Sequence, residues 1–204
     1  MVLAISPKDA KTYTAEEYLA LEVASKTRNE FRNGEILPMT GGTPVHNEIT
    51  SSMLLSLKGS LRKQPYCVFV TDQRLWIPKA NLYTYPDLMV TPRPCELKAG
   101  RKDTIINPIL VVETLSISTQ SYDRGDKFSH YRTIDSFREY VLIAQHQPRV
   151  EHYVKQDTAQ WLLTEHAGLK ATFHLSSVDI EIALADLYEN IEFDEPIEFD
   201  KPDE

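Results

Sequence analysis

The sequence predicts a mixed α/β fold of the α+β kind, in which a mixed β-sheet is flanked by helices. Three observations predict it. A helical pattern from about Tyr122 to Thr133 stands between apolar strand patterns at 108–115 and 139–145, the order expected of a crossover within one sheet. A longer helical pattern over 45–64 precedes the strand-rich centre and can flank it. The composition, 42% hydrophobic and 25% charged over 204 residues, is that of a globular domain and excludes collagen-like and wholly disordered chains. A domain of this length buries about 70% of its unfolded surface and folds without staples.

In chain order, residues 1–12 read as a loose leader, 13–190 as the domain and 191–204 as an acidic C-terminal tail. Thr14-Ala15-Glu16-Glu17 is a capping box with Thr14 as N-cap, opening a short helix to about Glu22. Asn33-Gly34, between Phe31 and Ile36, is a hairpin signal because both turn positions need positive φ. Gly41-Gly42-Thr43-Pro44 reads as a loop. In the 45–64 helix, Ile49, Met53, Leu54, Leu57 and Leu61 share one buried face, and Lys58, Arg62 and Lys63 complement the dipole near its end. Strands are expected at 67–77, 86–91, 108–115, 139–145, 150–155 and 159–165, punctuated by Pro78, Pro92 and Pro94. Residues 180–190 hold a last short element.

Charge is unevenly spread. The net charge is −8, from 22 bases and 30 acids, but residues 179–204 hold 11 of the acids and one base. The body alone is +2, so acidity belongs to the C-terminal end and does not exclude a nucleic-acid partner. Cys67 and Cys95 lack metal-site spacing and read as idle thiols in a reducing cytoplasm. No apolar run nears the ~18 residues of a membrane helix, and the N-terminus lacks a basic segment ahead of an apolar stretch. A cytoplasmic protein without membrane contact is therefore expected.

Two carboxylates stand out. Asp87 follows Pro86 at a strand entry, and Glu113 closes the apolar run Pro108–Val112. A carboxylate at the end of a buried strand must be paired, protonated or metal-bound. If the two strands are neighbours, Asp87 and Glu113 converge as hard oxygen donors suited to Mg²⁺. The other reading has Asp87 capping a turn and Glu113 neutralised by a nearby lysine or arginine. His46 either meets a phosphate or a metal-bound water at the N-terminus of the 45–64 helix, or serves as a capping or surface residue. Gln73, on the strand before Asp87, either points into the site or pairs across the sheet. Trp76 and Trp161 read as core or interface packing in preference to base stacking, and Arg124, Arg132 and Arg138 either face phosphates or, as scattered arginines usually do, stay solvated.

Pro86-Asp87, Glu113, Asp123-Arg124-Gly125-Asp126-Lys127 leading to Tyr131, and Phe137-Arg138-Glu139-Tyr140-Val141-Leu142 together resemble the Uma-two family. Arg28-Asn29-Glu30-Phe31, followed by Asn33-Gly34-Glu35-Ile36 and a loop into His46, extends the resemblance over roughly residues 12–190. That family is classed as restriction-endonuclease-like, within the PD-(D/E)xK superfamily. The resemblance implies a restriction-endonuclease-like mixed sheet and a metal-dependent nuclease using Mg²⁺ or Mn²⁺. It implies Asp87, Glu113 and Glu30 as metal ligands, and Asp87, Glu113, Lys127 and Glu30 as catalytic residues, with His46 and Gln73 in support. The superfamily lysine usually stands two residues after the glutamate, where this chain has Leu115. Lys127, on the 122–133 helix, is the substitute; its other reading is an exposed ion pair with Asp123.

The expected reaction is hydrolysis of a phosphodiester in nucleic acid, DNA rather than RNA, by a homodimer. Two alternatives are a non-catalytic nucleic-acid- or protein-binding module that keeps the fold, and a structural homodimer domain.

Overall fold

The computed structural model describes residues 11–39 and 41–193; residues 1–10 of the expected leader and 194–204 of the expected tail lie outside them. The elements are α1 (Ala15–Ala24), β1 (Asn29–Arg32), β2 (Glu35–Pro38), α2 (Pro44–Ser60), β3 (Tyr66–Val70), β4 (Arg74–Ile77), β5 (Leu82–Thr84), β6 (Leu88–Pro92), β7 (Thr104–Ile105) and β8 (Leu110–Leu115). There follow α3 (Gln120–Tyr122), a π-helical turn (Asp123–Lys127), α4 (Phe128–Tyr131), β9 (Glu139–Ala144), β10 (Arg149–Lys155), β11 (Trp161–Ala167), β12 (Thr172–Leu175), β13 (Ile180–Ala183) and α5 (Leu184–Leu187).

The larger sheet has six strands in the order β11-β10-β9-β8-β6-β3. Its one parallel pair is β8–β9, and the α3–π–α4 segment makes the connection between them. This is the crossover that the flanking strand patterns predict, since parallel neighbours cannot be joined by a tight turn. The smaller sheet has five strands in the order β2-β1-β5-β4-β7. β12 and β13 form a separate two-stranded ribbon.

Alternation along the larger sheet decides what each face buries. Leu110 and Val112 of β8 pack with Ile49, Met53 and Leu57 of α2. Val111 and Leu115 point the other way, into a cluster with Phe128, Tyr131, Tyr140 and Leu142. Glu113, two residues from each of those, therefore faces the crossover helix. The capping box at Thr14 and Glu17 is formed, with both reciprocal bonds in place. Asn33 and Gly34 turn the β1–β2 hairpin at φ 48° and 98°.

Several expectations are revised. The 67–77 strand is two strands, β3 and β4, that belong to different sheets. The break is at Thr71, which takes φ 38°. The 180–190 element is a strand followed by one helical turn. The short strands β5, β7 and β12 fall outside the expected set; strands of two to four residues leave little periodic signal.

Glu139, at the start of β9, anchors the sheet to the turn after β12. Its carboxylate accepts the Ser176 N–H and hydroxyl, both at 2.8 Å, the Ser177 N–H at 2.9 Å and the Ser177 hydroxyl, and lies 3.2 Å from His152 Nε2. Burial alone would raise its pKa, but the His152 and serine donors outweigh burial and hold it at about 2.

Two predictions follow from these contacts. Because the folded pKa of Glu139 lies below its unfolded value, its stabilisation is complete above about pH 4.5 and fades as pH falls toward 2. Glu139→Gln should lower the unfolding free energy at pH 7 by up to about 3 kcal/mol and flatten stability across that acid window, as read by urea melts at stepped pH. Gly34→Ala should cost about 1–2 kcal/mol, because an alanine pays for positive φ and its Cβ would stand 2.4 Å from Thr12 Cγ2. A thermal melt unchanged by that substitution would contradict the turn assignment.

Candidate active site

Pairing of β6 with β8 brings Asp87 to Glu113. The strands are antiparallel neighbours with Leu88 opposite Val112, so the entry of β6 lies beside the exit of β8. Asp87 occupies the bend before β6; its N–H donates to Glu113 Oε2 at 3.2 Å, and its Oδ2 accepts the Thr114 N–H at 2.8 Å. The two carboxylates thus share one backbone-anchored corner.

Lys127 reaches this corner from the crossover. Its Nζ is 2.9 Å from Glu113 Oε1 and 3.5 Å from Asp123 Oδ1. The Tyr131 hydroxyl donates to the same Glu113 Oε1 at 2.7 Å. Asp123, Lys127 and Tyr131 recur at steps of four, which carries all three to the sheet-facing side of the helical segment. The Lys127–Asp123 pair is buried, not an exposed surface pair, with the two side chains 9% and 4% exposed.

His46 arrives from the first turn of α2, where the Thr43 hydroxyl caps its N–H at 3.1 Å. Its Nε2 lies 3.1 Å from Asp87 Oδ2. Burial opposes charging of the imidazole, but the Asp87 carboxylate outweighs it and the net pKa shift is upward. A Cβ on Gly42 would stand 2.6 Å from His46 Nδ1, so the preceding glycine loop gives the ring its room.

Two other residues take different places. Gln73 sits before β4, and its amide donates to the Asp103 and Arg74 carbonyls at 2.9 and 3.3 Å; it braces the smaller sheet. Glu30 is buried on β1 and accepts the Thr84 hydroxyl. Its charge raises the pKa of Lys127 from the side, without joining the Asp87–Glu113 contact. Asp123, a 3% exposed carboxylate, and the Tyr131 hydroxyl join the corner, although the sequence assigns neither a place among the site residues. The four-residue step linking them to Lys127 was the available signal.

The corner gathers more carboxyl groups than cations, and burial works against ionising all of them. Burial pushes the Glu113 pKa up to about 8, with Lys127 opposing and Asp87 and Asp123 adding. Burial raises Asp123 as well, again against Lys127. For Lys127, burial favours the neutral form, yet Glu113, Glu30 and Asp123 together lift its pKa well above the ordinary lysine value. One ammonium and one imidazole thus face four carboxylates.

Among the described residues there is no group of three or more His, Cys, Asp or Glu side chains that could hold a metal ion. Two carboxylates beside an acid excess suit Mg²⁺ or Mn²⁺, which take one or two carboxylates and fill the rest with water and substrate oxygens. Asp87 and Glu113 are the residues that would hold it.

Comparison with known proteins gives a consistent picture. The family model described as "Uma2: Putative restriction endonuclease" matches residues 15–185. A Synechocystis protein, "Uncharacterized protein sll1609", is 39% identical over 170 residues, 83% of this chain and 96% of its own length. A second from the same organism, "Uncharacterized protein slr1290", is 30% identical over 178 residues, covering 87% and 92% of the two chains. A solved structure from Anabaena variabilis, titled "a putative nuclease belonging to DUF820", superposes with a TM-score of 0.69 over 86% of this chain and 97% of that one. At 18% identity it shows a shared fold.

The buried pair generates a coupling prediction. Lys127→Met alone should cost about 3–5 kcal/mol, because it strands Glu113 and Asp123 without their cation. Adding Glu113→Gln should recover part of that loss, with a coupling energy of about 1–3 kcal/mol in a denaturant double-mutant cycle. Strictly additive losses would show that the two charges do not act as a pair.

Proposed function

Because the chain belongs to the Uma2 family, we propose that it is a metal-dependent nuclease that hydrolyses phosphodiester bonds of nucleic acid, with DNA as the substrate. The observation that carries this reading is the meeting of Asp87, Glu113 and Lys127 from three separate elements in one buried corner. A lysine from the crossover helix there replaces the one missing at Leu115.

Asp87 and Glu113 would hold Mg²⁺ or Mn²⁺, which would supply Lewis-acid polarisation at the phosphate. The chain's own groups do the rest. Lys127 holds Glu113 toward its ionised form and aims positive charge where negative charge develops on the phosphate. Tyr131 fixes the Glu113 carboxylate by its hydroxyl hydrogen bond. His46 orients Asp87, and the α2 N-terminus beside it adds positive potential. The Asp87 and His46 side chains are 18% and 13% exposed, against 4% and 9% for Glu113 and Lys127. Asp87 and His46 are thus the more accessible members of the corner. The same reading takes the chain as a cytoplasmic homodimer.

A second reading, a binding module without chemistry, is favoured by one observation: Glu113 Oε1 is already engaged by both Lys127 and Tyr131. One assay separates the two. Mixed DNA and RNA substrates with Mg²⁺ or Mn²⁺ should be cut by the wild type, and Asp87→Asn or Glu113→Ala should lose at least about 100-fold in rate. Equal activity in wild type and Glu113→Ala would overturn the nuclease reading. A salt-dependent shift of DNA with no cleavage would favour the binding module.

A further inference from the structure

The face of the larger sheet that carries Glu113 continues past β9 and β10 to a second feature. A groove of about 540 Å³ lies between the end of the crossover helix and the β10–β11 hairpin. Half-buried Tyr153 and Trp161 give it aromatic walls over a buried Phe128 that is itself stacked on Tyr140 at 5.2 Å, Gln156 and Gln160 give it amides, and Arg132 stands at its rim. The rings are set against one another: Phe128 meets Trp161 edge-on at 5.3 Å and Tyr153 at 4.6 Å between centroids. The Arg132 guanidinium lies 4.9 Å from the Phe128 ring centroid.

Position ties this groove to the site. Phe128 directly follows Lys127 in the chain, and Arg132 is one helical turn further. By register, Glu113 is opposite Leu142, Leu142 opposite Glu151, and Glu151 opposite Glu165 on β11. Trp161, Leu163 and Tyr153 stand on that same face, in the same sheet. Three strand spacings of about 4.8 Å across, and about four residues of 3.3 Å along β11 from Glu165 to Trp161, put the far wall of the groove roughly 19 Å from Glu113. That is within reach of a few nucleotides of an extended strand.

The chemistry of the lining selects the occupant. Flat aromatic surfaces accept any nucleobase face, side-chain amides match base edges, and a guanidinium matches a phosphate. The nearby acid, Asp157, is spent on its own loop, where it accepts the N–H groups of Ala159 and Gln160 at 2.7 and 2.8 Å. We propose that this groove is a stacking subsite for an unpaired nucleobase of a single-stranded substrate segment, with Arg132 holding the adjacent phosphate. The inference rests on the nuclease reading for its choice of nucleic acid, and it gives Trp161 a binding role in place of simple packing.

The test reads binding and needs no chemistry. Trp76, stacked on Tyr83 at 4.1 Å, is replaced by Trp76→Phe so that Trp161 is the only indole. The full chain is then titrated with oligothymidylate in EDTA at low salt. Saturable quenching of Trp161 is expected, several-fold weaker with a blunt duplex of the same length. Arg132→Gln, a substitution at an exposed side chain, should weaken binding several-fold and reduce the salt slope by about 0.7, the value of one phosphate on a single strand. Absence of quenching, or an Arg132→Gln slope equal to the parent's, would overturn the subsite even if the wild type cuts DNA. A Trp161 emission that shifts with protein concentration alone would mark the groove as a contact between copies, and would overturn it too. Failure of cleavage with binding intact would instead strike the nuclease reading and leave this subsite standing.

Discussion

The contact between Lys127 Nζ and Glu113 Oε1, 2.9 Å long and buried on both sides, constrains everything around it. Taking two charges out of water costs several kcal/mol each, and their attraction repays this only in good geometry with further hydrogen bonds. The surroundings supply them: the Tyr131 hydroxyl on one Glu113 oxygen, the Asp87 N–H on the other, and Asp123 beside the ammonium. Such a pair is weak support for stability in itself. Its presence in the middle of an apolar face is what the proposed nuclease reading accounts for.

The rest of the fold can carry that cost because the two larger of its hydrophobic clusters lie on either side of the larger sheet. One is built by α2 against one face of the larger sheet, the other by the crossover against the opposite face and by β4 and β5 of the smaller sheet. The corner forms where strand ends and helix turns from separate stretches meet: the bend before β6, the end of β8, the π-helical turn and the first turn of α2. No single element brings more than one charged group of the Asp87–Glu113–His46 set, so the site exists only when both cores are packed.

Much of the framework was legible beforehand. The capping box at Thr14, the Asn33-Gly34 turn, the long α2 and the helix between two apolar strands all carry local signals: a side-chain cap, a positive-φ requirement, a 3.6-residue period and continuous β-branched apolar runs. The division of 67–77 between two sheets was not, because β3 and β4 are both apolar and the break rests on the backbone of Thr71 and Asp72. Glu113, Asp87 and Lys127 could be picked out as residues in need of partners. Gln73 looked equally placed, yet its amide serves the carbonyls of Asp103 and Arg74. The alternative that pairs Asp123 with Lys127 at the surface has the partner right and the burial wrong, since spacing along a helix reveals who is near and not which side is covered.

By itself, the order of residues determined the element types, the crossover and the short list of ionisable groups that burial would trouble. These are consequences of local propensity and of charges set in apolar runs, and both are written along the chain. Only the tertiary structure decided which partners answer those charges. Whether a carboxylate meets an ammonium, a serine turn or a neighbouring threonine depends on strand pairing and helix docking, which join residues dozens of positions apart and leave no periodic trace in sequence.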